Sequence, residues 1–356
     1  MASAPFGANA FLFFHPRENR ALGVAGWPNR LYFMRESGFD FAPMSKAISK
    51  KTTQWEYLEY LLVVGVLNFS RILPESAVRA LFRSFARIFY LFSSRRRNTA
   101  LQNIQIVFPE KTPQERRLLA KNAFLHLSET MAVSLLFATH RISTTRLSEM
   151  VEVAEPENFD RINKSGKPAP LILSAHLGNW EILPRYFALQ QNKQVHIVAR
   201  EGNNRLIEER IVHPMRERQN ISVFYKKNAL MRLVRALRRG ESCGFLIDQR
   251  LNPPDGIRLE FFGKEAFTVP SPALLQIRFG IPVFAAFLVR ISPQKYRLHC
   301  SPPILWEDNG KPQEEQISEL TRIHQSFVEE MILRYPEQWF WVHNRWSLPR
   351  KKRKKS

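Results

Sequence analysis

Cysteine is nearly absent from this chain of 356 residues, which contains only Cys243 and Cys300. Two cysteines are too few for a disulfide framework, and these two lack the spacing of metal ligands. We therefore expect a reducing compartment, in which both cysteines are small side chains of the core.

Several catalytic motifs are absent as well. The sequence contains no Gly-rich phosphate loop, no His-Glu-x-x-His zinc motif and no Gly-x-Ser-x-Gly nucleophile elbow. Each of these motifs arranges a defined set of groups around a nucleotide phosphate, a zinc ion or an acyl intermediate. Their absence argues against an NTPase, a metalloprotease and an ordinary lipase.

Acidic residues are scarce relative to basic ones. Asp and Glu number 32 against 53 Lys and Arg, which gives a formal net charge of +21 at pH 7. Such a charge predicts binding to a polyanionic surface, either nucleic acid or anionic lipid. The 27 Phe and 7 Trp residues favour a membrane, because aromatic rings beside cationic groups suit the membrane-water interface. A basic nucleic-acid-binding protein is the rival interpretation, but no recognised nucleic-acid-binding motif supports it, and we expect no nucleic-acid partner.

No apolar run is long enough for an unambiguous membrane span. The run at residues 60–69 is shorter than the roughly 20 residues that cross the hydrocarbon layer as a helix. Because Trp55, Tyr57 and basic residues flank this run, we interpret it as a marginal span or a re-entrant anchor. A buried core helix is the alternative.

The next segment has the pattern of a basic amphipathic helix. One face carries apolar residues at helical spacing, and arginines recur every fourth residue beside it. The apolar residues are Val78, Phe82, Phe85, Phe89 and Phe92, and the basic ones are Arg79, Arg83 and Arg87. An ordinary packed helix and an interfacial membrane helix both fit this pattern. Its position directly after the apolar run favours the membrane.

Beyond residue 151, short apolar runs alternate with polar helical stretches. The runs lie at residues 171–174, 195–199, 222–225, 243–247, 283–289 and 296–300. Helices are predicted at residues 113–139, after an N-terminal cap at Thr112, and at residues 203–218 and 229–239. Strands that alternate with helices predict an α/β fold with a mainly parallel central sheet flanked by helices.

His176 is the first candidate for chemistry. It follows the run at residues 171–174, and Gly178 and Asn179 supply a turn into a helix that we expect to begin near Trp180. The carboxyl end of a strand in an α/β sheet commonly exposes reactive groups, and an imidazole there can take a proton from an alcohol. Glu181 can accept the other imidazole N–H, fix the tautomer and stabilise the imidazolium. Taken alone, this pair favours a hydrogen-bonded structural histidine over a catalytic one.

The blocks around this pair extend the pattern. They are His-Leu-Gly-Asn-Trp-Glu at residues 176–181, Asn-Ile-Gln-Ile-Val-Phe-Pro-Glu at 103–110, Gly-Phe-Leu-Ile-Asp-Gln at 244–249, Phe-Phe-Gly-Lys-Glu-Ala-Phe-Thr at 261–268 and the aromatic block at 336–346. The first matches the His-x4-acidic pattern of glycerolipid-type acyltransferases, within the lysophospholipid-acyltransferase-like superfamily. All five, in the same order, resemble the late lipid A biosynthesis acyltransferases, which transfer lauroyl or myristoyl chains. The resemblance runs from about Trp55 to Trp346.

The resemblance implies roles for further residues. Arg216 and Arg218 fall where the family carries an Arg-x-Arg pair, and guanidinium groups suit phosphate or carbonyl oxygens. Arg216 is the preferred one of the two, and the choice stays open. Arg200 is a second candidate for binding a phosphorylated acceptor, with a surface ion pair as its alternative. Asp248, at a strand end, is expected to orient one of these arginines or to serve a structural turn.

The activity implied by the resemblance is transfer of a fatty acyl chain from an acyl carrier protein thioester to a hydroxyl of a lipid A precursor. We expect it at the bacterial inner membrane, with the active site facing the cytoplasm, His176 as general base and Glu181 as its partner. Another lysophospholipid or glycolipid acceptor is the alternative. No metal or cofactor is expected, because thioester acylation requires only an activated nucleophile and charge stabilisation.

The predicted organisation has four parts. Residues 1–43 lack periodicity and a signal-peptide pattern, so we expect a poorly ordered extension, with Met44 as a hypothetical native start. Residues 44–97 form a membrane-anchoring, amphipathic helical region, and residues 98–349 form the acyltransferase domain. Residues 350–356 form a basic tail, whose expected partner is an anionic membrane.

Overall fold

The computed structural model describes residues 53–199, 202–217, 220–225 and 229–347. The predictions for residues 1–43, for a start at Met44, for the basic tail and for Arg200 and Arg218 concern residues outside this described part of the chain.

Helices precede, separate and follow the strands. They are α1 (Gln54–Ile72), α2 (Glu75–Phe92), α3 (Ser94–Val107), α4 (Pro113–Ala138), α5 (Thr144–Met150), α6 (Pro156–Lys164), α7 (Leu183–Gln191), α8 (Arg205–Ile207), α9 (His213–Glu217), α10 (Ala229–Arg239), α11 (Ser271–Phe279) and α12 (Gln313–Arg334). A π-helical turn, Glu208–Val212, joins α8 to α9, so the helix predicted at residues 203–218 is interrupted. A 3-10 turn, Pro336–Gln338, follows α12.

The central sheet is mainly parallel. Its strands are β1 (Val151–Val153), β2 (Leu171–Ser174), β3 (Val195–Ala199), β4 (Ile221–Tyr225), β5 (Cys243–Leu246), β8 (Val283–Ser292) and β9 (Lys295–Cys300), in the order β1-β9-β8-β2-β5-β3-β4. Only the β8–β9 pair is antiparallel within this sheet. A separate antiparallel hairpin joins β6 (Ile257–Phe261) to β7 (Lys264–Thr268). The predicted α/β class, with a mainly parallel sheet flanked by helices, is confirmed.

Hydrophobic side chains cover both faces of the sheet. In β2, Leu171 and Leu173 belong to one buried cluster, and Ile172, which points to the opposite face, belongs to another. A strand that is buried on both faces has a continuous run of apolar residues in its sequence, and this is usual for strands of parallel sheets. Cys243 and Cys300 are free and buried, which confirms their prediction as core residues. Burial raises the pKa of both thiols.

Helix α4 begins where the sequence signals it. The Thr112 hydroxyl accepts the main-chain N–H of Glu115, and the Glu115 carboxylate accepts the main-chain N–H of Thr112 at 2.7 Å. This capping box satisfies two N–H groups that the first helical turn leaves without partners. The helix is buried along much of its length, and it supports the turn that carries His176.

Helix α1 is exposed, so the alternative of a buried core helix at residues 60–69 is wrong. Ser70 is its only buried residue. Large apolar side chains point outward along it, namely Trp55, Tyr57, Leu58, Leu61, Leu62, Val66, Phe69 and Ile72. Among the helices that the structure describes, none combines the length and the apolar character that crossing a membrane requires.

The apolar stripe of α2 divides into two parts. Val78 is buried and Phe82 is partly buried against the core, whereas Phe85 and Phe92 expose 65% and 83% of their surface. Arg83 and Arg87 are exposed as well. The first half of α2 is therefore an ordinary packed helix, and the second half presents aromatic rings and guanidinium groups to the surroundings.

Candidate active site

The turn that follows β2 carries His176. Gly178 in this turn has a φ of +64°, and a Cβ atom there would lie 2.1 Å from the main-chain oxygen of Leu288. Only glycine fits such a position without strain. The Gly178 carbonyl accepts hydrogen bonds from Thr130 at 3.1 Å and from the His126 ring at 3.2 Å, both on α4. The turn is thus held between the sheet and α4.

His176 and Asp248 form a hydrogen-bonded pair, called the dyad below. Nδ1 of His176 lies 2.8 Å from Oδ1 of Asp248, which follows β5, the parallel neighbour of β2. Asp248 is 1% exposed. Burial alone raises the pKa of Asp248, but the charge of His176 and the hydrogen bonds from His176 and Trp339 outweigh burial and hold that pKa below its usual value. The carboxylate is therefore ionised, and Nδ1–H of His176 donates to it.

The other imidazole nitrogen is available for proton transfer. Nε2 of His176 has no hydrogen-bond partner among the described residues, and the side chain is 22% exposed. An imidazole whose Nδ1 proton is held by a carboxylate presents the lone pair of Nε2 to a substrate, which is the arrangement of a general base.

Glu181 does not occupy the position that the sequence predicted for it. Residues 180–182 form a turn, and α7 begins only at Leu183, so Glu181 is not placed one helical turn above His176. Its carboxylate accepts the indole N–H of Trp180 at 3.2 Å and lies 3.9 Å from the guanidinium of Arg216. The partner of the imidazole is Asp248 instead. The sequence had predicted that Asp248 either orients an arginine or serves a structural turn.

Arg216 lies in α9 between the carboxylates of Glu181 and Glu208. Its guanidinium is 3.9 Å from Glu181 and 3.8 Å from Glu208, and its side chain is 19% exposed. Both distances exceed a normal hydrogen bond, so neither carboxylate holds the guanidinium tightly. Glu208, in the π-helical turn, also accepts the hydroxyl of Tyr225 at 2.8 Å.

Two residues of the site escaped the sequence analysis. Arg185, in the first turn of α7, is 7% exposed and lies 5.1 Å above the ring of Phe137. Burial lowers its pKa to about 10, although the charge of Glu181 raises it. Its only sequence signal is a spacing of four residues from Glu181. The second is Trp339, whose indole N–H donates to Oδ2 of Asp248 at 2.8 Å.

Aromatic rings flank His176. Its ring centroid lies 5.3 Å from that of Trp180 and 6.0 Å from that of Phe340. A narrow apolar cleft continues between these rings and α4, where Ala123, Phe124 and Leu127 line it, and it has room for about one water molecule. Among the described residues, no group of three His, Cys, Asp or Glu side chains could hold a metal ion.

A carboxylate-held histidine at the carboxyl edge of a parallel sheet defines, with the blocks around it, an acyltransferase of the His-x4-acidic type. The sequence profile of the bacterial lipid A biosynthesis acyltransferases matches residues 48–347, and the chain belongs to this family. It is 24% identical over 299 residues to a lipid A biosynthesis lauroyltransferase of Escherichia coli (strain K12), a match that covers 80% of this chain and 90% of that protein. A lipid A biosynthesis palmitoleoyltransferase of the same organism is 25% identical over 258 residues, covering 72% of this chain and 80% of that protein.

Proposed function

We propose that this enzyme transfers a fatty acyl chain from an acyl carrier protein thioester to a hydroxyl of a lipid A precursor, as a late acylation step. The observation that carries the proposal is His176, whose Nδ1 is held by Asp248 and whose Nε2 is free to accept a proton. The names of the similar proteins, a lauroyltransferase and a palmitoleoyltransferase, support a fatty acyl donor and a lipid A-type acceptor.

The proposed reaction has two proton transfers. Nε2 of His176 takes the proton of the acceptor hydroxyl while the hydroxyl oxygen attacks the thioester carbonyl carbon. The negative charge of Asp248 stabilises the imidazolium that forms. When the tetrahedral intermediate collapses, the carbon–sulfur bond breaks, and the imidazolium returns the proton to the departing thiolate. The products are an ester and a free thiol, and His176 is regenerated.

Arg216 is the proposed binding group for the acceptor's phosphate or for the developing oxyanion. A guanidinium held loosely between two carboxylates can turn toward an anion without breaking a short hydrogen bond. In this proposal Glu181 contributes by holding Arg216 near the dyad until the substrate arrives. Charge-assisted, paired hydrogen bonds to phosphate are the interaction for which arginine is best suited.

The proposed location is the cytoplasmic face of the bacterial inner membrane. The exposed apolar residues of α1 and of the second half of α2, together with Arg83 and Arg87, give the surface that an anionic bilayer would bind. Apolar rings would enter the interface while the guanidinium groups contact lipid phosphates. The net charge of +21 supports the same partner.

A transfer assay tests the proposal. Purified protein is incubated with a panel of labelled acyl carrier protein thioesters and with lipid A precursors, lysophospholipids and other glycolipids as acceptors. His176→Ala is expected to abolish transfer while the circular dichroism spectrum is unchanged. His213→Ala is the matched control and should retain transfer, since the half-exposed side chain of His213 on α9 contacts Glu217 and the ring of Tyr225 and, among the described residues, neither His176 nor Asp248. Transfer to lysophospholipids alone would replace the lipid A acceptor, and near-normal transfer by His176→Ala would remove the proposed mechanism.

A further inference from the structure

The aromatic block near the C-terminus contacts both members of the dyad, Asp248 through Trp339 and His176 through Phe340. The indole N–H of Trp339 donates to Oδ2 of Asp248 at 2.8 Å, on the opposite side of the carboxylate from His176. The main chain of Trp339 pairs with Leu177 in an isolated antiparallel β-bridge. The flanking hydrogen bonds are Phe340 N–H to the His176 carbonyl at 2.9 Å and Gly178 N–H to the Gln338 carbonyl at 3.0 Å.

Trp339 is placed to support the dyad and not to touch a substrate. It is 3% exposed, and rings of Phe261, Trp341 and Trp346 surround it with centroids 6.0, 4.6 and 6.1 Å away. An indole N–H is a donor that has no acceptor form, so the Asp248 oxygen that it contacts must act as an acceptor. That contact favours the ionised carboxylate and fixes the rotation of its plane.

The position of Trp339 is fixed from outside the active site. Nδ2 of Asn103 on α3 donates to the carbonyls of Trp341 and His343, each at 2.7 Å. Because the Gly178 N–H also holds the Gln338 carbonyl on the other side of Trp339, the indole N–H meets Asp248 before any substrate binds.

We infer that Trp339 is a positioning residue for acyl transfer. It acts through Asp248, because its indole N–H fixes the carboxylate, and the carboxylate in turn orients the imidazole of His176. The inference rests on the proposed function, since it concerns the same dyad. A hydrogen bond to an ionised group is stronger than one between neutral groups, and its loss at this place is expected to lower kcat about tenfold to hundredfold. KM for both substrates stays within about twofold, because Trp339 contacts neither.

The experiment compares two buried tryptophans of the same cluster. Trp339→Phe and Trp346→Phe each remove one indole ring and one indole hydrogen bond, but the bond of Trp346 goes to a main-chain carbonyl and not to the dyad. The inference expects the kcat loss in Trp339→Phe, and a kcat within about threefold of the parent in Trp346→Phe. Equal losses of kcat in the two variants would overturn the inference, because the losses would then come from altered packing of the cluster and not from the hydrogen bond to Asp248.

A double-mutant cycle with Asp248→Ala isolates the contact. Once Asp248 is absent, Trp339→Phe is expected to cause no further loss of single-turnover rate, whereas a packing role would lower the rate by the same factor in both backgrounds. If Trp339→Phe fails to fold, β-(3-benzothienyl)alanine at position 339 keeps the ring shape and removes only the N–H, and the same loss of kcat is expected. An unchanged kcat in that protein overturns the inference. The proposed function has a separate test, because it would be contradicted by a His176→Ala protein that still transfers the acyl chain.

Discussion

His176 and Asp248 are 72 residues apart in the sequence, yet Nδ1 of the imidazole lies 2.8 Å from Oδ1 of the carboxylate. They meet because β2 and β5 are parallel neighbours, and each residue follows the carboxyl end of its strand. The acidic residue that follows His176 in sequence, Glu181, lies near Arg216 instead. The site therefore contains two separate carboxylates with different partners, Asp248 with the imidazole of His176 and Glu181 with the guanidinium of Arg216.

The division between the two carboxylates predicts different kinetic losses. Asp248→Asn removes the charge that stabilises the imidazolium, and kcat is expected to fall about 100-fold or more, in line with the loss of a triad aspartate. Glu181→Gln removes the charge beside Arg216 and keeps an oxygen acceptor for Trp180, so its main effect is expected on KM for the acceptor. Steady-state kinetics with both substrates measure this. A larger kcat loss in Glu181→Gln than in Asp248→Asn would return Glu181 to the role of imidazole partner.

Arg216 is expected to bind the phosphate group of the acceptor. Arg216→Ala should raise KM about tenfold to hundredfold for a phosphorylated acceptor, the equivalent of one charge-assisted contact of about 1.5–3 kcal/mol. With an acceptor from which the phosphate has been removed, parent and variant should have similar KM values. Arg258→Ala is the control, because Arg258 is exposed and pairs with Glu265 on the β6–β7 hairpin. Equal effects of Arg216→Ala on both acceptors would assign the guanidinium to the oxyanion.

The exposed rings of α2 predict membrane binding that depends on them. Phe85→Glu with Phe92→Glu should weaken co-sedimentation with vesicles of phosphatidylethanolamine and phosphatidylglycerol, because two charges replace the rings that would enter the interface. Leu305→Glu serves as the control, since Leu305 is 80% exposed and lies outside α1 and α2. If the double variant sediments as well as the parent does, this surface is not the one that binds lipid.

Buried histidines predict a loss of stability in mild acid. Burial lowers the pKa of His126 and of His324 to about 3, whereas a histidine in the unfolded chain titrates near 6.5. The unfolded state therefore binds more protons between these values, and the free energy of unfolding falls as pH drops below about 6.5. Each histidine is expected to contribute a loss of about 2 kcal/mol between pH 7 and pH 5.

Denaturant unfolding of the parent and of His324→Gln at both pH values checks this expectation. Gln keeps a donor for Gln276, which lies 3.0 Å from Nε2 of His324, and it does not titrate. The variant should lose less stability than the parent by about 2 kcal/mol over this interval. An identical pH dependence would show that His324 is protonated in the folded protein.

Local patterns in the sequence predicted the elements better than the site. Helix α10 has the predicted bounds, and the apolar run at residues 171–174 is strand β2, because continuous apolar runs are typical of doubly buried strands. The pairing of β2 with β5 is a long-range contact that no local pattern contains. The prediction for Glu181 assumed a helix from Trp180, whereas the chain makes a turn there before Leu183.

The same kind of long-range contact joins the five sequence blocks that resemble the acyltransferase family. Asn103 holds the main chain of the aromatic block, Trp339 holds Asp248, and Trp346 donates to the Phe261 carbonyl. Four blocks that appeared separate in the sequence thus surround the fifth, which carries His176. The sequence did not predict the contact of Trp339 with Asp248, because the direction of an indole N–H becomes known only when its partner has been placed.

The hydrogen bond between Trp339 and Asp248 also sets an order of events during synthesis. Trp339 leaves the ribosome 91 residues after Asp248, when every strand of the central sheet has already been translated. A nascent or prematurely terminated chain that has the sheet and both dyad residues still lacks the indole that fixes the carboxylate. With Trp339 in the inferred positioning role, an incomplete chain is expected to acylate lipid more slowly than the finished enzyme does.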